Sequence, residues 1–163
     1  MSERVAICPG SYDPVTNGHI DIITRTSQVF DRVVVAVVGR SVRKQEALFT
    51  AEERVAFIQD ALKGVENVEV KAFSNLLVEF AREEGAIAVV KGLRAISDFE
   101  YEFEMNQLNR KLAPDIENIY VIASAQYSFL SSTGVKEMAT FHGDVSDLVP
   151  GPVAKALAER VAR

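Results

Sequence analysis

One stretch of sequence decides the fold: Val5-Ala6-Ile7-Cys8-Pro9-Gly10-Ser11-Tyr12-Asp13-Pro14-Val15-Thr16-Asn17-Gly18-His19. Its first four residues are apolar and predict a buried strand, and the prolines and glycines that follow break regular structure. Apolar residues then recur with helical spacing at Ile20, Ile23, Val29 and Phe30. This pattern places His19 in the first turn of a helix.

The start of that helix is a candidate phosphate site. The unpaired backbone N–H groups of the first turn and the positive end of the helix dipole favour an anion there. Gly18 permits close approach of the backbone, and the imidazole of His19 can add a directed hydrogen-bond donor. A histidine at a helix start can also be a capping or packing residue, so the stretch alone leaves both roles open.

Length and composition predict one soluble domain. The 163 residues are 48% hydrophobic and 25% charged, which is typical of a globular protein with a substantial core. No repeat, low-complexity tract or linker divides them, so we expect a single domain over residues 1–163. The net charge of -5 and the pI near 5.1 argue against a general binder of nucleic acid or anionic membranes. Any bound polyanion should therefore be small.

The cysteine content and the beginning of the chain favour a cytoplasmic protein. The single cysteine, Cys8, excludes an internal disulfide and fits a reducing compartment, and we expect it to be a small apolar residue in the first strand. The opening Met1-Ser2-Glu3-Arg4 does not have the pattern of a signal peptide, and no apolar run is long enough to cross a bilayer.

Four more strand-like runs follow, each separated from the next by a helical pattern. They are Val33 to Val38, Val68 to Ala72, Ile87 to Val90 and Ile119 to Ala123. This βαβ rhythm of nearly continuous β-branched strands predicts an α/β fold: a doubly wound five-stranded parallel sheet with helices on both faces. In such a sheet, ligands bind beyond the carboxyl ends of the strands, near the switch in strand order.

Charged residues do follow two of these strands. The loop from Gly39 to Glu46 carries three cations, and the fourth strand ends in Lys91-Gly92-Leu93-Arg94. Two cations at a strand end must be met either by carboxylates, for which Glu100 and Glu102 are candidates, or by a bound phosphate. The residues alone leave both possibilities open.

The segments after the third and fifth strands differ in character. The third strand leads to Leu76 and Leu77, which by pattern alone are expected to be core residues. The fifth leads into the hydroxyl-rich segment from Ser124 to Glu137. Hydroxyls and the backbone donors of a helix start suit triphosphate oxygens, or Ser131 or Ser132 can simply cap the helix.

Two capping boxes are predicted, Thr50-Ala51-Glu52-Glu53 and Ser97-Asp98-Phe99-Glu100. The helix opened by the second runs to about Leu112. It has two apolar stripes on opposite sides: Phe99 with Phe103, and Tyr101, Met105 and Leu108 with Leu112. One stripe should cover the sheet while the other is buried elsewhere, so we expect this helix to join a subunit interface.

Three segments, in order, resemble the phosphopantetheine adenylyltransferase family of the nucleotidyltransferase superfamily with the T/H-x-G-H motif. They are Gly10-Ser11-Tyr12-Asp13-Pro14 with Thr16-x-Gly18-His19, then Lys91-Gly92-Leu93-Arg94 with Asp98-Phe99-Glu100-Tyr101-Glu102, and finally Tyr127-Ser128-Phe129-Leu130-Ser131-Ser132-Thr133 with Val135-Lys136-Glu137. The resemblance covers nearly the whole chain, and the second and third segments are more specific than the T-x-G-H element.

The resemblance implies a fold, a reaction and a setting. The fold is the Rossmann-like nucleotidyltransferase fold, and the reaction joins ATP and 4′-phosphopantetheine into dephospho-coenzyme A and pyrophosphate, with Mg²⁺. The pantetheine phosphate attacks the α-phosphorus of ATP in line. Because a phosphate is already ionised at neutral pH, alignment and charge stabilisation suffice and no general base is needed. The family further suggests a homohexamer that coenzyme A inhibits.

The resemblance also implies the site residues. His19 is the transition-state stabiliser, Arg94 meets phosphate, and Ser11 lies between the nucleotide and the attacking phosphate. The implied ATP site comprises Ser11, Tyr12, His19, Gly92, Leu93, Arg94, Glu102, Tyr127, Ser128, Phe129, Leu130, Ser131, Ser132 and Thr133. The implied phosphopantetheine site comprises Ser11, Lys44, Leu77 and Lys91, and no protein ligand to a metal is implied.

Two departures and two alternatives accompany this interpretation. The loop that carries Lys44 is longer than in the family, so Arg43 is a competing assignment, and Lys91 stands where an arginine is also familiar. A lysine preserves charge neutralisation there but not bidentate geometry. The alternatives are a small nucleotidyltransferase that uses glycerol 3-phosphate or nicotinamide mononucleotide, and a nucleotide-binding regulatory module without catalysis.

Overall fold

The computed structural model describes residues 2–39 and 46–161, apart from the side chains at positions 96 and 97. Within these residues, five strands form one parallel sheet in the order β3-β2-β1-β4-β5. The strands are β1 Val5–Gly10, β2 Arg32–Val38, β3 Val68–Phe73, β4 Ala88–Leu93 and β5 Glu117–Ile122. The sheet predicted from sequence is confirmed.

Helices connect the strands and complete the described chain. They are α1 Asn17–Ser27, α2 Ala51–Ala61, α3 Leu77–Glu83, α4 Ile96–Leu112, α5 Ser132–Thr140 and α6 Gly151–Val161, with a short 3-10 helix at Ala125–Tyr127. None of the helices in the described part of the chain is both long and apolar enough to cross a membrane.

The strand order reverses between β1 and β4. The chain builds outward from β1 to β2 and β3, then returns to the other side of β1 for β4, where Ala6 pairs with Ala88 and Ile7 with Val89. At such a switch point the loops that leave neighbouring strands diverge and open a crevice at the carboxyl edge of the sheet. The loops after β1 and β4 therefore line the expected ligand site.

The two faces of the sheet support separate cores, because successive strand residues point to opposite sides. The larger cluster joins Cys8, Val35 and neighbouring strand residues to Ile23 of α1, Ile58 of α2 and Leu157 of α6. The smaller cluster, on the alternate strand residues, packs against α3 and against Ala113 and Ile116. Burial on both faces explains why the central strands β1 and β2 are apolar without alternation, and it confirms the doubly wound arrangement.

Several local predictions are confirmed. Thr50 caps α2 and Glu53 reaches back to it, as the capping-box pattern predicts. Gly64 and Gly85 follow α2 and α3 with φ angles of 94° and 68°, where glycine is least strained. Cys8 is buried, and burial raises the pKa of its thiol to about 12. It behaves as the small apolar residue expected.

Other local predictions are wrong. The box at Ser97 does not form, because α4 begins two residues earlier, at Ile96, and Ala95 is its cap. The third residue of α4, Asp98, instead accepts the backbone N–H of Arg94 at 3.2 Å. Leu76 is 56% exposed and is not a core residue. The strands at the switch are also longer than predicted, since β1 continues to Gly10 and β4 to Leu93.

Helix α4 lies against the molecule without burying any of its described side chains. Five large apolar residues of α4 are exposed: Phe99, Tyr101, Phe103, Leu108 and Leu112. The neighbouring edge strand β5 also leaves Ile119 and Ile122 exposed. Together these residues form an apolar surface, called the α4–β5 surface below, which the single chain does not cover.

Candidate active site

His19 is fixed by a reciprocal cap at the start of α1. The backbone N–H of Thr16 donates to Nδ1 of His19 at 3.0 Å, and the backbone N–H of His19 donates to Oγ1 of Thr16 at 3.3 Å. Because Nδ1 accepts a hydrogen bond from the backbone, the proton of the neutral imidazole sits on Nε2. The capping role and the donor role that the sequence left open therefore coexist in one residue.

The environment keeps this imidazole neutral. Burial, and to a lesser extent the positive charge of Arg94, lowers the pKa of His19 to about 4. At neutral pH the residue thus offers a fixed Nε2–H rather than a cation. It does so within the first turn of α1, where the helix dipole also favours an anion.

Tyr12 supports the loop on which His19 depends. It adopts a left-handed conformation with φ 49°, and its hydroxyl donates to the carbonyl oxygen of Cys8 at 2.9 Å. Its ring meets the His19 ring edge to face with centroids 5.0 Å apart. A Cβ at Gly10 would lie 3.0 Å from the Tyr12 ring, so glycine is needed there for this packing.

A buried carboxylate anchors the same loop. Asp13 accepts the backbone N–H groups of Leu48 at 2.8 Å and Phe49 at 2.9 Å, and Lys136 lies 3.2 Å from its Oδ2. These partners offset the cost of burying the charge. Asp13 therefore ties the loop after β1 to the segment before α2 and to α5, which makes it a structural rather than a reacting carboxylate.

Both cations at the end of β4 have carboxylate partners. Lys91 pairs with Glu102 at 2.9 Å, and Arg94 pairs with Asp98 at 3.1 Å. Nη1 of Arg94 also donates to the carbonyl of Leu130 at 2.6 Å, which ties the end of β4 to the loop after β5. Carboxylates therefore do meet the two cations. Glu102 is one of the two candidates from the sequence, whereas Asp98 takes the place expected for Glu100.

Close packing brings the three loops of the site together. A Cβ on Gly92 would lie 3.1 Å from Cγ1 of Ile22, and one on Gly18 would lie 3.4 Å from Cβ of Tyr127. In addition, Oγ of Ser132 donates to the carbonyl of Pro14 at 2.8 Å. The rim residues that the sequence singled out after β1, β4 and β5 are therefore neighbours in space.

The hydroxyl-rich segment has mixed roles. Ser131 caps α5 by accepting the backbone N–H of Gly134 at 3.0 Å, so the capping alternative is confirmed for this residue. Ser128 donates to the carbonyl of Ala125, while Thr133 and the ring of Phe129 are exposed. Leu130 is buried and packs in the larger core cluster.

The residues expected to bind phosphopantetheine are more widely spaced. Ser11 is exposed in the loop after β1, and Lys91 lies in β4 two residues before its end, but Leu77 starts α3 after β3, at another part of the rim. Leu77 is half-buried against the smaller core cluster. Lys44 and its competitor Arg43 lie outside the described residues.

Sequence reasoning missed a buried arginine beneath this site. Arg54 of α2 is 4% exposed, and its guanidinium binds four backbone carbonyls, including that of Ser11. The sequence shows only that Arg54 belongs to a helical pattern. That pattern does not distinguish a buried arginine from one on the surface.

The described residues of the site offer no protein cage for a metal. In residues 2–39 and 46–161, no group of three or more histidine, cysteine, aspartate or glutamate side chains could hold an ion. A magnesium ion that arrives with a nucleotide usually keeps most of its ligands from phosphate oxygens and water, so this donor set fits that mode of binding.

Comparison with known proteins agrees with the geometry. Residues 7–138 match the family model described as cytidylyltransferase-like. A phosphopantetheine adenylyltransferase from Rubrobacter xylanophilus is 52% identical over 98% of this chain and 96% of its own. Relatives of the same name from Alkaliphilus metalliredigens and Staphylococcus carnosus are 50% and 47% identical, over 96% and 100% of this chain and 99% and 100% of theirs.

Solved structures share the fold at low sequence identity. One is a candidate nicotinate-nucleotide adenylyltransferase from Vibrio parahaemolyticus, with a TM-score of 0.69 and 17% identity over 99% of this chain and 96% of that one. Another is a bifunctional NMN adenylyltransferase/ADP ribose pyrophosphatase from Francisella tularensis, with a TM-score of 0.72 and 13% identity over 99% of this chain and 50% of that one. The near full-length identity of about half the residues decides the assignment: the chain belongs to the phosphopantetheine adenylyltransferase family.

Proposed function

We propose that the loops after β1, β4 and β5 hold ATP and 4′-phosphopantetheine side by side for the reaction of the family. An oxygen of the pantetheine phosphate forms a bond to the α-phosphorus of ATP, and the bond from that phosphorus to the pyrophosphate oxygen breaks. The products are dephospho-coenzyme A and pyrophosphate. The observation that carries the proposal is the neutral His19, held by its cap, with the charge of Arg94 acting on it from across the switch point.

His19 acts as a donor that needs no proton transfer. The attacking phosphate is already an anion at neutral pH, so no base has to activate it. Negative charge shifts toward the leaving pyrophosphate during the transfer, and a preorganised Nε2–H stabilises it without reorganising. A histidine with a pKa near 4 suits this role because it stays neutral throughout the neutral range, while the bond to Nδ1 keeps its proton on Nε2.

Arg94 and the loop after β5 complete the ATP side. The guanidinium of Arg94 is partly exposed, and its five N–H donors exceed the three hydrogen bonds that it makes, two to Asp98 and one to the carbonyl of Leu130. It can therefore meet a phosphate while it still contacts Leu130. We assign the exposed hydroxyl of Thr133 and the N-terminus of α5 to the outer phosphates, together with Ser131, which caps α5, and Ser132, the first residue of α5.

The acceptor side is assigned to Ser11, Lys44, Leu77 and Lys91. Ser11 is exposed in the loop after β1, and we assign its hydroxyl to the contact between the two reacting phosphates. Lys91 has less than a fifth of its side chain exposed and is neutralised by Glu102, so an incoming phosphate must compete with that carboxylate or share the lysine with it. Leu77 offers apolar surface for the pantetheine arm.

Magnesium would enter with ATP, held by triphosphate oxygens and water, and would neutralise part of the triphosphate charge. The other properties that we propose come from the family resemblance. The enzyme would work in the cytoplasm as a homohexamer that coenzyme A inhibits. The exposed α4–β5 surface supports assembly, since an apolar area of this kind is usually covered by a partner.

Pyrophosphate release measured with different acceptors tests the proposed function. The purified protein is given ATP and Mg²⁺ with 4′-phosphopantetheine, glycerol 3-phosphate or nicotinamide mononucleotide in parallel. We expect release only with phosphopantetheine, together with formation of dephospho-coenzyme A. Release with another acceptor would identify a different nucleotidyltransferase, and ATP binding without any turnover would indicate a regulatory module.

A further inference from the structure

Arg54 is a buried cation that binds backbone carbonyls. Its Nη1 donates to the carbonyl of Ser11 at 2.6 Å and to that of Val38 at 2.9 Å, and its Nε donates to the carbonyls of Phe49 and Thr50 at 3.0 and 3.2 Å. Among the described residues, no carboxylate forms an ion pair with it. A buried charge without a counterion is costly, so its location requires an explanation.

The carbonyls belong to three separate segments that meet under the site. Ser11 lies in the loop after β1, Val38 is the last residue of β2, and Phe49 and Thr50 precede α2. One Nη1 atom bridges the first two segments directly. The planar guanidinium, with donors in fixed directions, is the side chain best able to link them, and a lysine amine cannot reproduce the same fork.

We propose that Arg54 is a positioning residue that holds Ser11 at the acceptor phosphate. Its hydrogen bond to the carbonyl of Ser11 fixes the position of that peptide. It thereby determines the orientation of the Ser11 hydroxyl and of the following peptide relative to the reacting groups. This inference rests on the proposed function, because it takes Ser11 as the contact between the two phosphates. Arg54 itself touches neither substrate.

The position of the charge supports this role. The protein has a net charge of -5 yet is proposed to bind two polyanions, so positive potential must be concentrated near the site. A guanidinium whose charge no carboxylate cancels, one hydrogen bond below Ser11, contributes to that potential while it positions the loop. An arginine that served only the packing of α2 would not need to reach the carbonyl of Ser11.

The test compares Arg54→Lys with a matched control, Arg160→Lys. Arg160 also donates to a backbone carbonyl, that of Leu48 at 2.8 Å, and it pairs with Glu53 at 2.6 Å, but it contacts neither Ser11 nor Val38. Michaelis constants for both substrates and the turnover number are measured at a temperature where circular dichroism shows wild type and both variants folded.

We expect Arg54→Lys to lower kcat/KM for phosphopantetheine roughly tenfold or more, because small displacements of a positioning contact are amplified in the transition state. The KM for ATP should change less than about twofold, since ATP also contacts the loops after β4 and β5. Arg160→Lys should leave kcat/KM for phosphopantetheine and the KM for ATP close to those of wild type, even if its melting temperature falls by as much as that of Arg54→Lys.

Three results would overturn the proposal. The first is an equal loss of kcat/KM in Arg54→Lys and Arg160→Lys, in proportion to their loss of stability. The second is a larger change in the KM for ATP than in the KM for phosphopantetheine. The third is that neither Arg54→Lys nor Arg54→Gln, which is tested in the same way if the lysine variant does not fold, gives a folded protein, because Arg54 then serves the fold as a whole. A wild-type protein that transfers no adenylyl group would instead refute the proposed function, so the two failures are distinguishable.

Discussion

The backbone N–H of Thr16 lies 3.0 Å from Nδ1 of His19 and donates a hydrogen bond to it. This contact fixes which nitrogen of the imidazole carries the proton and in which direction that N–H points. In most capping boxes the third helical residue is a glutamate or a glutamine, whose side chain accepts the backbone N–H of the capping residue. A glutamate has no donor to offer a ligand, and a glutamine offers only a flexible amide. A histidine there satisfies the backbone with one nitrogen and leaves the other free to act on a ligand.

Replacing His19 by alanine should reduce turnover much more than ATP binding. We expect kcat to fall roughly 10²-fold or more, as for other losses of a preorganised donor, with a modest change in the dissociation constant of ATP. Steady-state kinetics and titration calorimetry measure the two quantities. His142→Asn is the control, because that exposed histidine lies between α5 and α6. Near-wild-type turnover in His19→Ala would contradict the assigned role.

The pKa of His19 predicts how its protonation depends on pH. The folded-state pKa of about 4 lies below the ordinary value of 6.5, so the native protein disfavours the charged form. Its contribution to stability is therefore present above pH 6.5 and is lost as the pH falls toward 4. NMR titration of the ring, assigned with a His142→Asn variant, should show His19 still neutral at about pH 5.5. Protonation of the His19 ring with a midpoint near the ordinary value of 6.5 would contradict the lowered pKa and the burial that causes it.

The pairing of Lys91 with Glu102 predicts opposite effects on the two substrates. In Glu102→Gln, Lys91 no longer has a competing carboxylate, so phosphopantetheine should bind several-fold more tightly. ATP should bind more weakly, since Glu102 is assigned to its site. Calorimetry with each substrate alone measures both affinities. Glu104→Gln, on the exposed side of the same helix, is the control and should change neither. Equal weakening of both substrates would mean that the pair is purely structural.

The α4–β5 surface predicts an oligomer that charge can disrupt. Phe99 and Phe103 stack with ring centroids 6.1 Å apart and are both more than half exposed. Introducing Phe99→Glu and Phe103→Glu together should lower the mass measured by light scattering. Val29→Glu alters an exposed apolar residue at the end of α1 and should leave the mass unchanged. A wild-type protein that is monomeric at micromolar concentration would refute the interface.

The fold and the grouping of the site were predictable because they depend on patterns within short segments. Apolar runs identified all five strands, and the parallel topology then placed the loops after β1, β4 and β5 at one edge. The end of β4 was placed too early because Lys91 and then Gly92 interrupt the apolar pattern. In the structure, Gly92 continues the strand and allows Ile22 of α1 to approach it.

The remaining features depend on contacts between distant segments, which a sequence pattern does not reveal. Asp13 binds residues 35 and 36 positions away, and Arg54 reaches Ser11 across 43 positions.

The Thr16 box was missed because its third helical residue is His19 rather than an acidic residue or glutamine. The Ser97 box was predicted but does not form, since α4 begins at Ile96 and position 97 is already inside the helix.

A crystal structure of the protein with a non-hydrolysable ATP analogue and Mg²⁺ tests the central claim most directly. The account predicts a phosphate oxygen about 3 Å from Nε2 of His19, with the guanidinium of Arg94 directed at the same triphosphate. A triphosphate bound beyond hydrogen-bonding reach of that nitrogen, or a His19 ring turned away from it, would contradict the account.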